Sequence, residues 1–393
     1  MFEESEIKSI ESLERIRWDV WLAAAVVGLV FFGVVMVYSA SAGQTDASGY
    51  LWTQLRWAAL ALIAMGIAMR IDYHFLARPS IAYGLFLIVV VLLIAVFFFP
   101  SRNGAHRWIS FGSIGGQPSE LAKVTLVIFL AWFLTQRHSQ GVLDSFIETV
   151  LPASLITGVL AALILKEPDL GTTAMLGLIF IVMLFVAGVP TRHLLKFVPL
   201  AAITGYYFIG RVSWRWERII AFMDPESDPR GKSYQVMQSL IAVGSGGIRG
   251  LGLGQGKQKL LYLPEAESDF IFAVVSEELG LIGALTVVTI FIFFLWRGLR
   301  ACHRAPDRFG YLLALGLTTM ITAQALFNVS VVLSLAPTKG IPLPFISAGG
   351  SSLLMTLAAV GILLNISEQG RARAKGGVST SGIPASGITG EAQ

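Results

Sequence analysis

Apolar runs bounded by charge, glycine or proline recur along the whole chain and predict ten helices, at 18–38, 51–69, 81–99, 118–134, 149–165, 172–187, 194–210, 270–296, 311–335 and 352–366. Most approach the roughly 20 apolar residues that a helix needs to cross a hydrocarbon layer of about 30 Å. The pattern predicts an all-α integral membrane protein with ten transmembrane helices in one unit, 18–366, rather than a series of soluble domains. A charged segment, 1–17, precedes the first run, and no small-residue cleavage site follows that run, which therefore reads as a retained span. The last stretch, 367–393, turns rich in Gly, Ser and Thr from Gly376 onward and reads as a disordered tail.

Charge placement orients the helices. Of the 29 Lys and Arg residues, fifteen fall on the side of the N-terminus and four in the opposite short loops. Cytoplasmic loops carry the excess of basic residues, so both termini are expected in the cytoplasm. The long hydrophilic segment between helices 7 and 8, residues 211–269, then faces outward. Composition agrees with the membrane reading: 55% of the 393 residues are hydrophobic and 14% charged, where soluble domains carry about 25% charge. The single cysteine, Cys302, excludes an intrachain disulfide, and histidines at 74, 106, 138, 193 and 303 leave no pair at metal-ligand spacing. Net charge is +4, with the basic residues dispersed over loops, which gives no footprint for nucleic acid.

Candidate chemistry concentrates at the outward face. Loop 211–269 opens with Arg211, Trp214, Arg215, Trp216 and Arg218, either an interfacial anchor or an attraction for anionic headgroups. Glycines follow at 244, 246, 247, 250, 252, 254 and 256, just before Lys257. A phosphate-binding P-loop is excluded, because Leu251 and Gln258 stand where Gly and Ser or Thr are required. What remains is backbone suited to close packing against a headgroup or to folding back into the membrane. Asp269 stands directly before Phe270-Ile271-Phe272, as a helix cap or as a carboxylate whose partial desolvation suits it to take a proton from a hydroxyl. Asp169, between helices 5 and 6, is a second outward carboxylate that can equally be a loop cap.

Charges inside apolar runs are functional candidates with a partner expected for each. Glu120 and Lys123 lie three apart at the start of helix 4, on one face, and Arg56 in helix 2 is a third, with Glu120 its expected partner. Structural pairing and substrate contact are both open for them. Between helices 9 and 10, the stretch 337–352 carries three prolines and stays apolar around one cation, Lys339, which predicts a broken, re-entrant segment whose charge balances a phosphate.

Several motifs in order carry a resemblance: Asn103-Gly-Ala-His-Arg-Trp-Ile, Gln117-Pro-Ser-Glu-Leu-Ala-Lys123, Glu167-Pro-Asp-Leu-Gly-Thr172, Tyr262-Leu-Pro-Glu-Ala with Asp269-Phe-Ile-Phe-Ala-Val, Glu277-Glu-Leu-Gly280 and Pro342-Leu-Pro-Phe-Ile-Ser. From about Val35 to Asn365 the chain resembles the SEDS family of bacterial cell-wall polymerases, and Met36-Val-Tyr-Ser-Ala-Ser41 and Pro337-Thr-Lys-Gly340 are closer to its division type than to its elongation type. The resemblance implies a SEDS-type fold of ten helices and a peptidoglycan glycosyltransferase that polymerises lipid II at the outer leaflet of the cytoplasmic membrane, at the division septum. It implies Asp269 as the catalytic residue. It also implies that Glu120, Lys123 and Asp169 lie near the substrate cavity. A class B penicillin-binding protein and further divisome proteins are the implied partners. Lys339, with Arg211 or Arg215 or a divalent cation (magnesium or manganese), is then expected to offset the pyrophosphate charge; no other cofactor is called for. Departures from the family pattern are Glu267-Ser268, where His-Thr is frequent, and Ala348, where Tyr is frequent. Two rival readings are a lipid flippase or transporter and a non-enzymatic divisome scaffold.

Overall fold

The computed structural model describes residues 18–43, 47–101, 105–111, 114–211, 213–224, 228, 231, 233–260 and 262–378. The segments 1–17 and 379–393, most of the turn-rich stretch 225–230, and the side chain of Arg215 lie outside the described residues.

Helices α1 (Val20–Ala40), α2 (Ala47–Arg70), α3 (Pro79–Ala95), α4 (Pro118–Ser139), α5 (Leu151–Lys166) and α6 (Leu170–Ala187) follow the predicted runs. After them come α7 (Thr191–Leu194), α8 (Phe197–Gly205), α9 (Ser213–Met223) and α10 (Tyr234–Ser245), and the chain ends with α11 (Ile271–Arg304), α12 (Arg308–Val332) and α13 (Gly350–Val378). Among the described residues, nine helices are long and apolar enough to cross a membrane. The predicted seventh span, 194–210, is instead assembled from α7, α8 and a π-helical turn at Tyr206–Gly210. Pro199 removes a backbone donor near the start of α8, and each piece is too short to span alone. The all-helical expectation is corrected at one more place, where Ile109–Phe111 pairs antiparallel with Ile114–Gly116 between α3 and α4.

The predicted boundary at 366 is also overrun. Helix α13 continues to Val378, so residues 367–378 are helical rather than part of a disordered tail. Polar side chains hold the extension down: Gln369 Nε2 donates to Asp72 Oδ1 at 2.9 Å, and Arg371 lies 3.7 Å from Asp19. Asp19 caps α1 and also receives the guanidinium of Arg297 at 2.5 Å, which ties the ends of α1, α11 and α13 together.

Helix α4 is the hub. It is buried along nearly its whole length and packs against α3, α6, α12 and α13. Helices α2, α3, α5 and α8 keep apolar side chains such as Leu60, Ile63, Leu87, Leu155 and Ile203 exposed, as lipid-facing helices do. Helices α2 and α13 cross closely because Gly350 and Gly361 leave room: a Cβ at these positions would lie 2.2 Å from the Trp57 ring and 2.4 Å from the Met65 carbonyl. The irregular stretch between α12 and α13 enters the bundle, with Ile341, Leu343, Phe345 and Ile346 buried and the backbone at 345–346 lying against Gly33 of α1.

Candidate active site

Asp269 is the last residue but one before α11, and its backbone is fixed by its neighbours. Three successive carbonyls accept hydrogen bonds from other elements: Glu267 from the Ala348 amide at 2.8 Å, Ser268 from Ser347 Oγ at 2.6 Å, and Asp269 from Asn328 Nδ2 at 2.8 Å. The two departures from the family pattern, 267–268 and 348, thus meet each other. Gly340 faces the Asp269 carboxylate so closely that a Cβ there would sit 2.8 Å from Oδ2. The carboxylate is held but set in poorly hydrated surroundings. Burial, then the negative charges of Glu265 and Asp169, push its pKa up from 3.8 to about 7, against the lowering influence of Arg107 and Arg218.

Asp169 belongs to the same cluster and has a structural role of its own. It caps α6, accepting from the Thr172 amide at 3.0 Å and from Thr172 Oγ1 at 2.9 Å. Beside it, Glu167 is fully buried, and neither carboxylate oxygen finds a hydrogen-bond partner among the described residues. Burial and Asp169 push Glu167 up to about 8, so it holds its proton at neutral pH. Arg107 closes this corner by donating to the carbonyls of Glu167 at 3.0 Å and Pro168 at 2.6 Å. Glu167 was legible only as part of a motif; no spacing in the sequence announced its burial.

The remaining predicted residues separate into groups. Glu120 and Lys123 pair at 2.8 Å, both buried, and Lys123 Nζ also donates to Gln324 Oε1 at 2.7 Å. Arg56 does not join them. It is exposed on α2 and donates to its own helix, to the Trp52 carbonyl and Thr53 Oγ1, which corrects the expectation of a buried charge paired with Glu120. Lys339 is half-buried, 5.9 Å from the Phe327 ring centroid, and next to Thr338, whose carbonyl accepts from Arg218. Arg211 is exposed at the end of the broken seventh segment.

The glycine run proves to be a close-packing device. Gly246 and Gly250 lie against the backbone of α11 at Ser276 and Glu278, and α11 kinks at Gly280, whose φ of +65° only glycine adopts easily. Two acids of α11 fasten the rest of the run. Glu277 accepts from the amides of Lys257 and Gln258, while Glu278 pairs with Lys259 at 2.5 Å and accepts from Ser39 and the Gly254 amide.

Among the described residues, no three His, Cys, Asp or Glu side chains converge as a metal site requires.

Known proteins share this architecture. The cell cycle protein family of FtsW, RodA and SpoVE matches residues 20–372. A probable peptidoglycan glycosyltransferase FtsW of Geobacter metallireducens is 42% identical over 362 residues, covering 90% of this chain and 95% of that protein. Stage V sporulation protein E of Bacillus subtilis is 41% identical over 365 residues, covering 90% and 98%. Among solved structures, a chain of a peptidoglycan synthase complex that coordinates polymerization and crosslinking superposes with a TM-score of 0.74 at 27% identity, covering 90% of this chain and 98% of that one. The crystal structure of the rod shape determining protein RodA of Thermus thermophilus gives 0.67 at 28% identity, covering 91% and 98%.

Proposed function

The chain belongs to the FtsW/RodA/SpoVE family and is a multi-pass peptidoglycan glycosyltransferase, and from that premise we propose that it polymerises lipid II at the outer face of the cytoplasmic membrane during septal wall synthesis. The 4-hydroxyl of one lipid-linked disaccharide attacks the anomeric carbon of another. A glycosidic C–O bond forms, the C–O bond to pyrophosphate breaks with inversion, and the electron pair leaves with the polyprenyl pyrophosphate. Asp269 takes the hydroxyl proton. Lys339, with Arg211 or Arg215, offsets charge on the leaving group.

The observation that carries this reading is the carboxylate of Asp269, carried on a backbone pinned through the carbonyls of 267–269, pushed up to about 7 and set against a glycine that leaves room beside it. A base whose pKa lies near working pH combines a useful ionised fraction with a strong drive to accept a proton. Alignment with a chain of a peptidoglycan synthase complex supports a class B penicillin-binding protein as partner, with other divisome proteins around it. The fifteen-to-four bias of basic residues supports cytoplasmic termini and an outward 211–269 loop.

The test is glycan synthesis from purified lipid II by the purified protein with its transpeptidase partner, comparing wild type with Asp269→Asn. Strands from wild type and none from the folded variant are expected. Equal polymerisation by both would make Asp269 a structural residue and leave the base elsewhere.

A further inference from the structure

Two amide side chains on the buried face of α12 converge on the loop that faces Asp269. Gln324 and Asn328 are one helical turn apart, 2% and 1% exposed, within a helix whose other buried positions are almost all apolar. Gln324 Nε2 donates to the Pro342 carbonyl at 3.0 Å. Asn328 Nδ2 donates at 2.8 Å both to the Ile341 carbonyl and to the Asp269 carbonyl. Consecutive carbonyls of one segment, and the backbone of the proposed base in the other, are thereby held by a single helix.

Support for this clamp extends inward. Gln324 Oε1 accepts from Lys123, whose ammonium is paired with Glu120, so the ion pair fixes which way the Gln324 amide points. Asn328 Oδ1 is buried with no hydrogen-bond partner among the described residues. An orphaned buried acceptor is destabilising, a cost that a helix position filled only for packing does not carry.

The geometry points to Gln324 and Asn328 as positioning residues of the glycosyl transfer reaction, with Glu120–Lys123 orienting Gln324 rather than meeting substrate. This inference rests on the polymerase reading and adds to it the means by which the half-buried Asp269 carboxylate is kept at a fixed distance from Gly340. The charged groups that act on Asp269 come from four places: Glu265 in its own segment, Asp169 at the start of α6, Arg107 ahead of the hairpin, and Arg218 on α9. None belongs to the clamp, so loosening it changes hydration and placement without adding or removing a charge.

The experiment uses the full-length protein with its transpeptidase partner and two near-isosteric apolar variants, Asn328→Leu and Gln324→Met. Ser239→Ala serves as the control, because it deletes a buried hydrogen bond of similar kind to the same helix, to the Val332 carbonyl at 2.8 Å one turn beyond Asn328, without touching either clamp amide. A displacement of about 1 Å at a reacting group costs on the order of 100-fold. We expect kcat to fall about 10- to 100-fold in both clamp variants with KM for lipid II within about twofold, and the acid limb of the rate profile to move below 7. Ser239→Ala should keep wild-type kinetics. Amide hydrogen exchange should quicken at 262–270 and 340–348 in Asn328→Leu but not in Ser239→Ala. Wild-type kcat and an unmoved acid limb in both clamp variants would overturn the inference, as would wild-type exchange in both segments. If the wild-type protein itself makes no glycan, the polymerase reading falls, and the exchange comparison alone decides whether the clamp exists.

Discussion

Replacing Asp269 with Asn should abolish polymerisation and, above about pH 5, make the protein more stable. In the folded protein the carboxyl is pushed up from 3.8 to about 7, first by burial and then by Glu265 and Asp169. Between these values the folded state keeps a proton that the unfolded state gives up, so rising pH favours unfolding. Each pKa unit is worth about 1.4 kcal/mol, so a shift of about three units costs the wild-type fold about 4 kcal/mol once pH exceeds 7. Asn has no proton to lose and escapes this cost. With an unfolding entropy near 2 cal/mol/K per residue over 393 residues, 4 kcal/mol corresponds to a Tm difference of about 5 °C. The assay is thermal unfolding of both proteins in the same detergent from pH 4 to 8. The difference in Tm should grow through this range and level off above about 7.5, while any packing difference between Asp and Asn adds a constant. A difference that stays flat with pH, or that turns against the variant as pH rises, would refute the desolvated-base argument and leave Asp269 an ordinary helix-entry carboxylate.

Other perturbations separate the parts of the site. Glu265→Gln and Asp169→Asn each remove a negative charge that raises Asp269, so the acid limb of the polymerisation profile should move down in both, further for Glu265, the stronger influence; Asn still caps α6 in the second. Gly340→Ala places a Cβ 2.8 Å from Asp269 Oδ2 and should depress kcat by about 10-fold or more, with Tm little changed because only a side-chain end must move. Lys259→Met leaves Glu278 buried and uncompensated and should cost about 3–5 kcal/mol of stability in thermal unfolding, whereas Lys259→Met with Glu278→Leu should recover a large part of it. Gly280→Ala should destabilise severely, since its Cβ would lie 2.3 Å from the Gly250 amide at a φ of +65°, and limited proteolysis should then cut within 246–260.

Helix positions were legible because a bilayer imposes length and apolarity on each span, and nine of the ten predicted runs match long helices among the described residues. The seventh was harder to read because hydropathy does not register how Pro199 and a π-helical turn divide an apolar run. Arg56 was misjudged for a similar reason: its helix was found, but the rotation that turns it outward is set by the packing of Trp57 and Met65 against Gly350 and Gly361 of α13, far away in sequence. The glycine run does not match a phosphate-binding loop, yet its partner surface, α11 around Ser276–Glu278 ahead of the kink at Gly280, could not be named from the run alone. Asp269 stood out as a carboxylate against an apolar helix start. Gln324 and Asn328 did not, although two amides spaced by four in an apolar helix are themselves a signal of a buried polar contact.

Where the buried charges lie along their helices bears on the choice between polymerase and transporter. A translocation path needs its charges near the middle of the membrane, able to exchange partners as the substrate passes. Here Glu120 and Lys123 occupy the first two turns of α4, and Glu277 and Glu278 stand two turns into α11. At the far end of α11, Arg297 meets Asp19 before α1. Each of these charges is satisfied within its own neighbourhood, and Glu120, Lys123, Glu277 and Glu278 brace the segments beside Asp269. A carrier that alternated between two faces by separating these elements would break the Glu278–Lys259 pair or the Lys123–Gln324 contact, exposing buried charge at several kcal/mol each time. An enzyme working on lipid-linked sugars at one face gains from keeping them closed, since the transferred group never crosses and the donor carries its own leaving group. On this argument the membrane-embedded polar residues serve as the rigid footing of a surface reaction, and variants that weaken them should lose kcat before they lose binding of lipid II.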